Sequence, residues 1–209
     1  MKSTMNNLNW VLFSLLVVMS TSATAAEVPC AVIVKVEAGF QITSQKGEMK
    51  TNAKVEDAIE CGSIISTHEG TAWIKTRAQV TLKFGPGTYF EFNKFDSAKE
   101  QFTLHRGRLL LQSPPQKKTT VIFTPQSEVN FTGGVAWVEY LADKKTTQVA
   151  SFNKSVSIQN RFNSDAVQTV RAGEMSGMDF SDPRIVPKQP RVMNSATASE
   201  LLATLKIKD

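Results

Sequence analysis

Few side chains in this sequence could carry out catalysis, and none of them is grouped. The chain has two histidines, His68 and His105, and neither has a second histidine at ligand spacing. A metal site would need Asp, Glu or Cys to converge from remote segments, and no pattern signals that. Acyl-transfer chemistry needs a nucleophile beside a base, and neither a Gly-x-Ser-x-Gly elbow nor a reduced Cys with a His is visible. Gly85-Pro86-Gly87 and Gly133-Gly134 lack the strand-to-helix context of a phosphate loop and read as turns. Asn130-Phe131-Thr132 and Asn153-Lys154-Ser155 match the short glycosylation acceptor pattern, which arises often by chance. The expectation is a protein that is not an enzyme and uses no cofactor or metal.

Binding chemistry is better supported, by one set of residues. With Thr71 to Arg77 as a strand, Trp73, Lys75 and Arg77 share one face, while Ala72 and Ile74 share the other. In the next strand Thr81 and Lys83 lie opposite Val80, Leu82 and Phe84. An indole beside three cations could grip an acidic polymer or a sugar chain by stacking and charge. The plainer alternative is that Trp73 packs into a second core layer and the lysines are merely solvated.

The elements that would position these residues are short strands. Val80 to Phe84 alternates apolar and polar residues, Gly85-Pro86-Gly87 turns the chain, and Tyr89 to Phe92 follows. Ala31 to Val36, Phe40 to Thr43, Gly62 to Ser66, Phe102 to Arg106 and Arg108 to Gln112 have the same character, with Gly107 expected to supply a positive φ in a tight connection. Further runs recur from Thr119 to Arg171, whereas Gln45 to Glu60 reads as polar and irregular, with Gly47 as a turn and Ala53 to Ile59 open between strand and coil. Regular short strands with turn punctuation predict an all-β fold. Val36, Phe40 and Ile42 share their spacing with Phe152, Val156 and Ile158, as in two hairpins of one design within a stacked, partly repetitive architecture.

The chain has 209 residues and a formal net charge of +5. That excess is too small and too dispersed for a nucleic-acid binder, which concentrates its basic residues in a stripe. Residues 1–26 read as a cleaved signal peptide. Lys2 forms the n-region, Trp10 to Met19 an apolar core too short for the about 20 residues of a membrane span, and Ala23-Thr24-Ala25 a cleavage site. Export places Cys30 and Cys61 in an oxidising compartment, so the pair reads first as a disulfide, with two independent buried thiols as the alternative. The β-domain is expected over 27–178 and a Pro-containing linker over 179–196. A short amphipathic helix follows over 197–209, opened by a Thr197–Glu200 capping box and carrying Leu201, Leu202 and Leu205. Docking of that helix on its own domain is the plainer reading, and docking on a partner the other.

The order of these pieces resembles the FecR domain. The resemblance runs through Val34-Lys-Val-Glu-Ala-Gly-Phe-Gln-Ile42, Cys61-Gly-Ser-Ile-Ile-Ser-Thr67, Gly70-Thr-Ala-Trp-Ile74 and Val80 to Thr88. It continues with Leu104 to Leu111, Phe123-Thr-Pro-Gln-Ser127 and Val167 to Glu174. The chain departs from the family at Thr132-Gly133-Gly134, where Arg-Gly-Thr is common. It also shows no counterpart of the anti-sigma segment, membrane span and further signalling module of FecR-type sigma regulators. The resemblance implies a twisted sandwich or solenoid-like stack of antiparallel strands, exported in a Gram-negative bacterium to the periplasm or beyond. The expected function is that of a non-enzymatic module binding a protein or a cell-envelope polymer. The alternatives are a soluble accessory in FecR-type cell-surface signalling and a structural, polymer-binding protein of the envelope.

Overall fold

The computed structural model describes residues 28–37, 39–51, 53–93, 98–114, 118–180 and 186–203. The expected leader, and residues 204–209 of the expected helix, lie outside the described residues. In chain order the strands are β1 (Ala31–Val36), β2 (Phe40–Thr43), β3 (Met49–Lys50), β4 (Ala58–Ile59), β5 (Ile64–Thr67), β6 (Ala72–Thr76), β7 (Thr81–Phe84) and β8 (Tyr89–Phe92). They continue with β9 (Lys99–Ser113), β10 (Thr119–Phe123), β11 (Ser127–Phe131), β12 (Gly134–Leu141), β13 (Thr146–Ser151), β14 (Val156–Asn160), β15 (Asn163–Val170), β16 (Glu174–Asp179) and β17 (Arg191–Val192). One helix, α1 (Ser195–Ala203), follows. The all-β expectation holds, and the sheet does not close into a barrel.

Pairing sorts the strands into two layers joined by β9. The first layer runs β4–β1–β6–β7, then the C-terminal half of β9, then β12–β13–β16–β17. The second runs β3–β2–β5–β8, then the N-terminal half of β9, then β10–β11–β14–β15. Pairing is antiparallel except between β9 and β10, which run parallel with Lys99 opposite Thr119.

Period-two alternation supplies one core between the layers. Ile33, Ile74, Leu82, Phe84, Leu109, Leu111 and Val138 face inward from the first layer, and Phe40, Ile65, Phe90, Phe102, Leu104, Ile122, Val129 and Ile158 from the second. Phe90 sits at the centre of an aromatic cluster, with ring centroids 4.9 Å from Phe84 and 5.4 Å from both Phe92 and Phe102. Cys30 and Cys61 form a disulfide with their Cα atoms 5.1 Å apart, fastening the start of β1 to the turn before β5.

Several expectations are corrected. Gly107 does not close a hairpin. It lies inside the single strand β9 at φ 91°, and the strand passes there from the second layer to the first. A Cβ at Gly107 would stand 2.5 Å from Thr88 Cα, so the crossing tolerates only glycine. The echoed segments are not hairpins either. Val36 to Ile42 and Phe152 to Ile158 are both corners that carry the chain from the first layer to the second, which is why their apolar spacing matches. The irregular stretch before Cys61 contributes the two-residue strands β3 and β4.

The segment read as a linker is attached to the sheet. β17 pairs with β16, the Lys188 amide donates to Gly177 O at 2.8 Å, and Pro187 is buried. The helix starts earlier than the capping box suggested. The Thr197 amide donates to Asn194 Oδ1 at 2.7 Å, so Asn194 is the N-cap. Asn satisfies the free amides of a first turn as well as Thr does, and it comes first in the chain.

Candidate functional site

The outer face of the first layer carries three of the four predicted binding residues, Trp73, Lys75 and Lys83. Lys35 on β1, Trp73 on β6 and Lys83 on β7 occupy neighbouring positions across three strands. A register shift between Ile33 and Lys35 brings Lys35 opposite Trp73. Bulges re-aim side chains in this way. The Lys83 ammonium lies 4.0 Å from the centroid of the indole, and that of Lys35 lies 4.7 Å away. Trp73 is half-buried, and its Nε1 is buried without a hydrogen-bond partner among the described residues. The ring is therefore neither a core residue nor an open stacking platform. Its π-face holds two cations, an attraction of about 0.5–1 kcal/mol each at an exposed site. Lys35 is the member of this group that sequence reasoning missed, since simple alternation from Ile33 assigns it inward.

Lys75 follows on the same face and is exposed. Arg77 does not join them. It lies beyond the end of β6, in the turn to β7, and its guanidinium donates to the carbonyls of Val28 and Pro29, the latter at 3.1 Å from Nη2. The Arg77 amide donates to Cys30 O at 3.0 Å, so this residue pins the chain leading into the disulfide. An open groove of about 230 Å³ runs beside it, lined by Pro29, Val32, Lys75, Thr76, Arg77 and Gln79. Further along the same face Arg108 meets Glu139 at 3.5 Å. Burial raises the Glu139 carboxyl above its ordinary value, and Arg108 opposes that rise.

Elsewhere the polar side chains pair with near neighbours. On the second layer His105 Nε2 lies 3.0 Å from Glu91 Oε2, and its ring centroid 5.2 Å from that of Tyr89. His68 is exposed beside the Gly39 corner, its amide donating to Gly39 O. Among the described residues no group of His, Cys, Asp and Glu is placed to hold a metal ion. The buried acid Glu100 was not picked out by sequence. It occupies an inward position of β9, where Thr76 Oγ1 and the Ala78 amide each donate to it at 2.7 Å. Its only sequence signal is parity, because Glu100, Phe102 and Leu104 share one face of an alternating strand.

No protein-family model matches the chain, and no curated protein matches it. Solved structures do match, among them two crystal structures, each of a protein described as a "putative anti-sigma factor" from Parabacteroides distasonis ATCC 8503. The first, at 2.50 Å resolution, gives a TM-score of 0.51 at 15% identity, over 59% of this chain and 57% of that one. The second, at 1.65 Å, gives 0.52 at 16% identity, over 60% and 59% respectively. This chain thus spans less than two thirds of the length of these relatives, and at such identity the likeness is one of fold.

Proposed function

We propose that this protein is a non-enzymatic binding module of the bacterial envelope that engages an acidic protein or envelope polymer through the outer face around Trp73. The observation that carries this reading is the Lys35–Trp73–Lys83 arrangement. An indole that fixes two ammonium groups over its ring, with Lys75 beside them, presents cations on an open sheet at low entropic cost. Charge is the attraction, because the aromatic face is already occupied. Arg77 belongs to the scaffold in this reading and does not touch the partner.

Export is supported by the leader-like residues 1–26 and by a disulfide, which persists in oxidising compartments. Among the described residues no helix is long and apolar enough to cross a membrane. A second reading, an accessory in FecR-type cell-surface signalling, draws on the fold likeness to the Parabacteroides protein. Cross-linking in the intact envelope followed by capture separates the two. Recovery of one receptor or membrane regulator favours signalling, and recovery of cell-wall or surface polymer favours the structural role. Capture of neither, in a folded and exported protein, would remove the support for both.

A further inference from the structure

A second row of residues on the outer face of the first layer behaves as though it belonged to an interior. Leu110, Trp137, Ala150 and Met175 sit opposite one another on β9, β12, β13 and β16, all on the outward side. All four are nonetheless buried, in an apolar cluster separate from the main core. The cover includes the chain's own C-terminal segment, since Met193 and Leu201 pack against this cluster.

That cover is a poor strand and a weak helix. β17 pairs with β16 only through Glu174–Val192 and Met175–Arg191. On either side the Met193 amide donates to Gly173 O and the Lys188 amide to Gly177 O, both at 2.8 Å. Between these points stands Pro190, and before them Pro187, neither of which has an amide hydrogen to add to a ladder. The pairing opens there into a groove of about 190 Å³, lined among others by Thr146, Gln148, Met175, Ser176 and Lys188. No residue of α1 is fully buried. Under the segment, Trp137 Nε1 is buried and has no hydrogen-bond acceptor among the described residues. A strand edge of this kind adds a new strand readily unless something protects it, and proline is a common protector.

We infer that the edge of β16, with the Leu110–Trp137 floor beside it, is a strand-addition site for an extended, proline-free segment of a partner polypeptide. The tail over 186–203 occupies the site in the resting protein. Main-chain hydrogen bonds to Gly173 through Asp179 would hold the incoming strand, and apolar side chains on its inner face would replace Met193 and Leu201. A hydroxyl or carboxylate oxygen placed above Trp137 would satisfy the indole N–H that the tail leaves without a partner. This surface is distinct from the cations around Trp73, so either can fail without the other.

The test uses the full chain and two synthetic peptides. One has the tail sequence 186–203, and the other differs by Pro187→Thr and Pro190→Val. Each is titrated into the parent and into a Met193→Ser, Leu201→Ser variant whose own tail is loosened. The proline-free peptide is expected to bind the variant at least tenfold more tightly than the natural-sequence peptide does. It should slow hydrogen exchange at Gly173 to Gly177 and shift the indole N–H resonance of Trp137. Equal affinity of the two peptides, or no binding to a variant that keeps the parent's circular dichroism and disulfide, would overturn the proposal. So would a variant that unfolds, since the tail would then be a fixed part of the fold. A dimer formed by exchange of tails would also overturn it, by assigning the groove to a second copy.

Discussion

Thr76 on the first layer donates its hydroxyl to the carboxylate of Glu100 on the second at 2.7 Å, joining the two sheets through a buried acid. Burial pushes the Glu100 carboxyl above its ordinary value, while the Thr76 hydroxyl and the Ala78 amide work against that rise. The folded state therefore holds the proton to a higher pH than the unfolded chain does. Stability from this group is present below the ordinary glutamate value of about 4.3 and falls as pH rises through the raised folded value. Melting temperatures from pH 4 to 8 should show that decline in the parent, and Glu100→Gln should flatten it. Identical profiles would show that Glu100 titrates normally.

The turn glycine Gly87 and the strand-crossing glycine Gly107 should differ. Gly87 has φ 71° and nothing within 4 Å of an added Cβ, so Gly87→Ala meets only backbone strain, about 1 kcal/mol. Gly107→Ala adds a collision with Thr88 Cα and should cost about 2–4 kcal/mol. Urea unfolding of both variants measures the gap, and equal losses would contradict the layer crossing at Gly107.

The disulfide closes a sequence separation of 31 residues. A Cys30→Ala, Cys61→Ala variant should lose about 3–4 kcal/mol in the chain-entropy description. Denaturant midpoints compared with the oxidised parent provide the measurement. An unchanged midpoint would mean that the β1–β4 ladder and Arg77 hold this corner unaided.

Ending the chain after Phe180 removes the cover of the outer apolar row but leaves the main core intact. The shortened protein should still melt cooperatively, with Trp137 newly accessible to an aqueous quencher and its emission shifted to the red. Loss of cooperative melting would make the outer row essential to the fold.

The strands were legible because alternation is a local property, and Val80 to Phe84 or Tyr89 to Phe92 can face a core in only one way. What escaped the sequence depended on contacts between distant segments. Gly107 looked like a hairpin turn because positive φ serves a tight connection and a strand crossing equally well. The outer apolar row left a trace in Arg108-Leu-Leu-Leu-Gln112 and in Val135-Ala-Trp-Val138. In both runs an apolar residue, Leu110 or Trp137, sits where alternation calls for a polar one, and that break marks a covered face. At the candidate site Trp73, Lys75 and Lys83 follow strand parity. Lys35 was hidden by a bulge, and the turn to β7 sends Arg77 to the N-terminal carbonyls.

The most direct test of the binding face keeps Trp73 and reverses the charges around it, with Lys35→Glu, Lys75→Glu and Lys83→Glu in one protein. Thermal melting first establishes that the variant is folded, since all three side chains are on the outer face. Capture from the cross-linked envelope is then compared with the parent at low and high salt, where exposed charges are screened over about 8 Å near physiological ionic strength. The account predicts that the parent retains its partner at low salt and loses it as salt rises, and that the folded variant fails to retain it at either. A folded variant that recovers the same partner in the same amount at both salt concentrations would contradict it.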